Sequence, residues 1–135
     1  MIHIVNGLLI QNGHVLMALR AASRHTYPGT WSFPGGHVEN GETFPAALTR
    51  ELKEEIGVRP LSETHLATLT DEANGLDSNV AFHLYAVEAW RGEPTNLGDE
   101  HERLSWLSLE EAKDMPNLAL EAYREVLRKL QCQKS

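Results

Sequence analysis

Residues 36–58 of the 135-residue chain read GHVENGETFPAALTRELKEEIGV and contain the clearest helix signal in the sequence. The pattern predicts a helix over residues 43–56. Pro45 falls in its first turn, where a missing N–H does little harm, and Gly57 follows its end as a C-cap. At about 100° per residue, one apolar stripe is expected to face a sheet. This stripe consists of Pro45, Leu48, Leu52 and Ile56.

An adjacent stripe of the same helix is acidic. It consists of Glu51, Glu54 and Glu55. Like charges at spacings i, i+3 and i+4 repel by roughly 0.2–0.5 kcal/mol per pair, and acids in the last turn oppose the helix dipole. Stability alone does not select this arrangement, whereas a hard cation such as Mg²⁺ or Mn²⁺ prefers oxygen ligands. The alternative is a solvated acidic face without a ligand.

Two neighbouring features favour a cation site over a solvated face. Arg50 can orient a carboxylate through a bidentate contact, and Glu42 is one candidate partner. Gly35 and Gly36 lack side chains, so their backbone can approach a ligand closely and present carbonyl groups to it.

The fixed positions of residues 36–58 resemble the Nudix box. That motif is Gly, five residues, Glu, seven residues, Arg-Glu, an aliphatic residue, any residue, Glu-Glu, any residue, Gly and an aliphatic residue. Every fixed position is filled, and a chance match is on the order of 10⁻¹⁰ per starting point at ordinary residue frequencies. The flanking segments, residues 31–36, 41–43, 100–101 and 104–106, also resemble the family, although only the box is diagnostic.

The resemblance implies an α/β/α sandwich around a mixed β-sheet, and hydrolysis of a diphosphate linkage in a nucleoside diphosphate joined to another group. It implies a divalent cation, Mg²⁺ with Mn²⁺ as a substitute, held by carboxylates. The ligands carried over by position are Glu51, Glu54, Glu55 and the Gly36 carbonyl. The residues that support the box structurally are Glu42, Arg50 and Gly57.

Catalysis also needs a general base, which in this family is a box glutamate or a residue of a later loop. The catalytic candidates are Glu54, Glu55, Glu100 and His101, and among the later residues Glu100 is favoured, as the base or as an additional metal ligand. The ordinary pKa of histidine lies near neutrality, which suits proton transfer. For the two later residues the alternative is a solvated loop.

Substrate contacts are predicted in the loop that leads to the box. The candidates for phosphates are Arg20, Arg24 and His25, each of which is alternatively a surface residue. Tyr27, Trp31, Trp90 and Trp106 can stack on a nucleobase but are more typical of a core. The remaining histidines show no paired spacing on one helix and are interpreted as strand or loop residues.

The rest of the chain indicates a mixed sheet with helices on its faces, within one domain over residues 1–135. An apolar strand is predicted at residues 2–10, and Asn12-Gly13 joins it to a second strand as a hairpin. Pro34-Gly35-Gly36 is expected to terminate a short strand. The remaining predicted segments are strands at residues 14–19, 31–33, 66–70, 79–90 and 103–107, a helix from Ser108 with a capping box, and a closing helix at 118–130.

The charge balance of the chain disfavours some classes of binding partner. Twelve Lys and Arg against nineteen Asp and Glu give a net charge of −7, which disfavours bulk nucleic acid and anionic membranes. One cysteine, Cys132, and an N-terminus without a signal or membrane span suggest a cytoplasmic protein. A homodimer is compatible with the sequence, although no sequence feature predicts it.

Four functions remain open on the sequence. The first is a MutT-like nucleoside triphosphate pyrophosphohydrolase that gives a monophosphate and pyrophosphate. The second is an ADP-ribose or nucleotide-sugar diphosphatase. The others are a non-catalytic nucleotide-binding domain of the same fold, and an acidic structural domain without a ligand.

Overall fold

The computed structural model describes residues 1–24, 28–70 and 80–133. Within these ranges it contains nine β-strands and three helices. The strands are β1 (Ile2–Gln11), β2 (His14–Arg20), β3 (Trp31–Ser32), β4 (Gly35–His37), β5 (Arg59–Pro60), β6 (Thr64–Thr70), β7 (Val80–Val87), β8 (Trp90–Arg91) and β9 (His101–Ser108). The helices are α1 (Phe44–Ile56), α2 (Leu109–Lys113) and α3 (Tyr123–Gln133). No helix in the described ranges is long and apolar enough to cross a membrane.

Strand β1 organises the main sheet, whose order is β3-β2-β1-β7-β6. It runs parallel to β7 along most of its length, and antiparallel to β2 at one end and to β4 at the other. Strand β9 joins the sheet antiparallel to β2. The predicted mixed sheet is therefore confirmed, as is the buried character of β7, seven of whose eight residues are buried.

Two hydrophobic cores cover the two faces of this sheet. Helix α1 packs on one face through Leu48, Leu52 and Ile56, which are fully buried with Val5 and Leu9 of β1. Burial of each such side chain stabilises the fold by about 1.5–3 kcal/mol. Helices α2 and α3 pack on the opposite face through Leu109, Ala112, Tyr123, Val126, Leu127 and Leu130. The predicted α/β/α sandwich is therefore confirmed.

The start of α1 differs from the predicted wheel. Pro45 is exposed, so its assignment to the sheet-facing stripe is wrong. Phe44 covers the sheet there instead, with its ring stacked 4.1 Å from that of His83. Thr43 caps the helix by accepting a hydrogen bond from the Ala46 N–H, and Gly57 ends it at φ 71°.

The short strand predicted at residues 31–33 ends before Pro34, as expected, but Gly35–His37 then forms β4 against β1, which was not predicted. The closing helix begins at Tyr123 rather than at residue 118. At the start of the predicted helix, Leu118 instead forms an isolated bridge with Trp31 of β3: the Trp31 N–H donates to the Asn117 carbonyl, and the Ala119 N–H donates to the Trp31 carbonyl.

Candidate active site

Arg50 on α1 ties the turn before the helix to the helix itself. Its guanidinium donates two hydrogen bonds to Glu42, at 2.8 and 2.9 Å, and one to the His37 carbonyl at 2.9 Å. The paired hydrogen bonds from Arg50 lower the pKa of Glu42 to about 2. Residues 37–42 are thereby fixed relative to the acidic face of the helix.

Glu51 lies directly against the backbone of Gly36. A Cβ at residue 36 would stand 2.3 Å from Glu51 Oε2, so the carboxylate occupies space that any side chain would fill. Glu51 is buried, and its Oε1 accepts a hydrogen bond from Arg50 at 2.9 Å. Burial is the main cause of its raised pKa, and the hydrogen bond from Arg50 opposes that shift.

Glu55 has a buried oxygen, Oε2, without a hydrogen-bond partner among the described residues. It lies 3.9 Å from Nδ1 of His101. One ligand atom from each of Glu55, Glu100 and His101 falls within 4.8 Å of the other two. Burial, followed by the charge of Glu100, raises the pKa of Glu55 to about 7.

Glu54 is more remote from this group. Its side chain is 55% exposed and contacts Arg50 at 3.3 Å. The structure therefore divides the three box glutamates. Glu55 faces Glu100 and His101, whereas Glu51 and Glu54 both contact the Arg50 guanidinium.

Glu100 and His101 are brought to the helix by strand β9, which begins at His101 and pairs with β2. Arg20, at the end of β2, forms a salt bridge with Glu100. The His101 side chain is buried, and burial lowers its pKa although the neighbouring Glu100 opposes the shift. The ring is therefore neutral near pH 7, with a nitrogen able to accept a proton.

A pocket of about 310 Å³ opens beside this acidic group. Arg20, Gly36, Glu100 and His101 form its polar edge. The rest of its lining is largely apolar and includes Ile4, Phe33, Val80, Phe82, Leu120 and Tyr123. The arrangement sets an aromatic-sized apolar space next to a cluster of oxygen ligands.

Of the predicted substrate residues that the structure describes, one lines the pocket and others lie elsewhere. Arg20 lines the pocket, whereas Arg24 is exposed outside it, and His25 and Tyr27 lie outside the described residues. Trp31 is a core residue. Trp90 and Trp106 stack on each other at 6.0 Å beside the other core and do not line the pocket.

Sequence reasoning missed two polar features. Asn6 lines the pocket from the middle of an apolar strand, and its position in the alternation was a usable signal. His3 and His83 also share a hydrogen bond of 2.9 Å between β1 and β7, and Thr68 bonds His83 at 3.1 Å. These residues come from three strands, so spacing within one helix or strand could not reveal their contact.

Comparisons with known proteins agree with the box. The model of the NUDIX domain matches residues 1–130. The CTP pyrophosphohydrolase of Escherichia coli (strain K12) is 34% identical over 116 residues, covering 86% of this chain and 82% of the relative. The 8-oxo-dGTP diphosphatase of the same strain is 35% identical over 99 residues, or 73% of each chain.

A solved structure supports the same assignment. The crystal structure of the MutT NUDIX hydrolase from Burkholderia pseudomallei superposes with a TM-score of 0.81 at 30% identity, covering 96% of this chain and 97% of that one. Nudix hydrolases generally need a divalent metal. The chain belongs to the NUDIX domain family and is a Nudix hydrolase acting on acid anhydride bonds of nucleotides.

Proposed function

We propose that the chain is a Mg²⁺-dependent, MutT-like nucleoside triphosphate pyrophosphohydrolase. The observation that carries the proposal is the pocket of about 310 Å³, whose lining combines apolar side chains with Glu100 and His101, the two residues that group with Glu55. Such a pocket suits a nucleobase, and its acidic edge suits a metal-chelated phosphate chain. Two relatives named for triphosphate substrates, CTP and 8-oxo-dGTP, support the same substrate class.

The side chains present fit a hard divalent cation. Glu55 has a buried oxygen that is unpaired among the described residues, and burial followed by the charge of Glu100 raises its pKa, as expected of a carboxylate held without a countercharge. Glu51, Glu54, Glu55 and the Gly36 carbonyl are the proposed ligands, with Glu100 as an additional one. When bound, Mg²⁺ supplies positive charge that neutralises the phosphate oxygens and activates water for attack.

In the proposed reaction, water adds to one phosphorus of the α–β bridge, and the bridging oxygen leaves with the other phosphorus. The products are a nucleoside monophosphate and pyrophosphate. The water proton must pass to a base. Among Glu54, Glu55, Glu100 and His101, we favour His101, because burial keeps its ring neutral and Arg20 already engages Glu100. The contacts of Arg50 with Glu42 and the His37 carbonyl fix the segment that follows Gly36, whose backbone lies against Glu51.

A hydrolysis screen with Mg²⁺ tests this function. The panel contains ordinary and oxidised nucleoside triphosphates, ADP-ribose, nucleotide sugars and dinucleoside polyphosphates, with products identified by mass. We expect a monophosphate and pyrophosphate from at least one triphosphate. Exclusive cleavage of ADP-ribose or a nucleotide sugar would replace the proposal with the diphosphatase alternative, and no turnover of any substrate would overturn it.

The base assignment has its own test. His101→Gln should lower kcat by about 10²–10⁴-fold and remove the acidic limb of the pH profile, while KM changes little. Retention of the wild-type pH profile would reassign the base to one of the glutamates.

A further inference from the structure

Asn6 is a polar residue in an otherwise apolar row on the inner face of β1. Side chains alternate along a strand, so Asn6 shares its face with Ile4 and Leu8. Ile4 and Leu8 belong to the core beneath α2 and α3, whereas Val5 belongs to the core under α1. Asn6 therefore lies on the sheet face that carries the pocket, and it is one of the residues lining that pocket.

The amide group of Asn6 is held in one orientation. Its Nδ2 donates a hydrogen bond of 2.9 Å to the Phe33 carbonyl. If Nδ2 and Oδ1 of Asn6 were exchanged, Oδ1 would face the Phe33 carbonyl oxygen, which is unfavourable. The Asn6 atom that does not take part in this hydrogen bond is therefore Oδ1. The residue is only 6% exposed, and Oδ1 has no hydrogen-bond partner among the described residues.

A buried amide oxygen without a donor is unfavourable, and most such groups in folded proteins are paired. In a pocket wall, the missing donor can come from the ligand. Much of the surrounding lining is apolar, with Ile4 and Phe82 among its residues, and such a surface selects a ligand by shape rather than by hydrogen bonding. Asn6 is therefore placed to distinguish bases by the donor that they present.

We propose that Oδ1 of Asn6 accepts a hydrogen bond from an exocyclic amino group of the nucleobase, which makes Asn6 a specificity-determining residue. The inference rests on the proposed function, since it assumes that the pocket receives the base of the nucleotide. An amino group donates to Oδ1, whereas a keto oxygen at the same position would meet it acceptor to acceptor. Bases that carry the amino group are selected for this reason.

Binding of nucleoside monophosphates tests the inference without requiring hydrolysis. Isothermal titration calorimetry compares three pairs that differ at an amino group: CMP with UMP, AMP with IMP, and GMP with IMP. We expect the amino member of at least one pair to bind wild-type protein at least about tenfold more tightly. The pair that shows the preference identifies the position of the amino group. Equal binding within every pair, or no binding at millimolar concentration, would overturn the inference.

Variants assign the preference to Asn6. In Asn6→Leu, which is similar in size, the ratio of dissociation constants should fall to within about twofold of unity. Leu8→Ile, on the same strand and face but outside the pocket lining, should leave the ratio unchanged. A wild-type ratio in Asn6→Leu, or the same loss in Leu8→Ile, would contradict the role of Asn6.

The outcome is separable from that of the proposed function. An amino preference that Asn6→Leu abolishes would stand even if no triphosphate were hydrolysed. Conversely, triphosphate hydrolysis with no amino preference would leave the proposed function intact and remove the inference alone.

Discussion

Gly36 and Glu51 show how single residues of the box depend on one another. Glu51 is buried against the backbone of residue 36, in the volume that a Cβ would occupy. The sequence indicated that a glycine pair allows a close approach at this point. It could not indicate that the close neighbour is a glutamate of the same motif, because that contact depends on how β4 packs against α1.

At this scale we predict that Gly36→Ala displaces the Glu51 carboxylate. Since the Cβ would stand 2.3 Å from Oε2, the glutamate must move, and kcat should fall by about 10²-fold or more. Steady-state hydrolysis of the best triphosphate measures the effect. Gly41→Ala is the control, because its Cβ meets nothing within 4 Å. Because Gly41 has a φ of +84°, Gly41→Ala should lower the stability of the fold. Its kcat should nevertheless be retained, because the added Cβ displaces no side chain. Equal kcat in Gly36→Ala and wild type would contradict the contact.

At the scale of elements, sequence patterns predicted the turns and helix ends that neighbouring residues determine. The hairpin at Asn12-Gly13, the capping box at Ser108 and both ends of α1 lie where the pattern placed them within a residue or so. The extension of the chain through Gly35–His37 was missed, because it depends on pairing with β1. The late start of α3 was missed because contacts with Trp31 compete with the helix. Both differences come from contacts that are distant in sequence.

The end of α1 gives a prediction for one element. Gly57 adopts φ +71°, so Gly57→Ala should destabilise the fold by about 1–2 kcal/mol. Gly57→Asn should cost less, because asparagine tolerates this conformation better. Denaturant unfolding of the two variants measures the difference. Equal stability of Gly57→Ala and wild type would show that the left-handed cap is not needed to end the helix.

At the scale of the whole molecule, the net charge of −7 is partly concentrated at the site. Five of the acids lie between residues 39 and 55. The box motif predicted the helix, the acidic stripe on it and the contact between Arg50 and Glu42. It could not predict that Glu55 would meet Glu100 and His101, because strand β9 brings those two residues from 45 positions or more away. Nor could it reveal the pocket, which β1, β7 and the segment before α3 form together.

This concentration of charge predicts how stability depends on pH and metal. The folded-state pKa of Glu55 is raised to about 7 from an ordinary 4.5, so its ionisation favours unfolding. Without metal, the free energy of unfolding should fall as the pH rises from about 4.5 to about 7, by on the order of 3 kcal/mol from this group. Glu55→Gln should remove that part of the decrease.

Millimolar Mg²⁺ should reverse the effect at pH 8, because binding to the folded state raises Tm by mass action. Thermal unfolding with and without Mg²⁺ measures it, and Glu55→Gln should respond less than wild type. A metal-free Tm that rises over this pH range in wild type but not in Glu55→Gln would contradict the raised pKa. An unchanged Tm with Mg²⁺ would contradict the cation site.

The most direct test of the central claim is the Mg²⁺-dependent rate at which wild type, Glu55→Gln and Glu110→Gln convert the best triphosphate to monophosphate and pyrophosphate. Glu110 is an exposed residue of α2, so its variant controls for the loss of one acidic charge. We predict full activity for wild type and Glu110→Gln, and a loss of about 10²–10³-fold for Glu55→Gln. Equal rates for Glu55→Gln and Glu110→Gln would contradict the claim that this carboxylate cluster performs the hydrolysis.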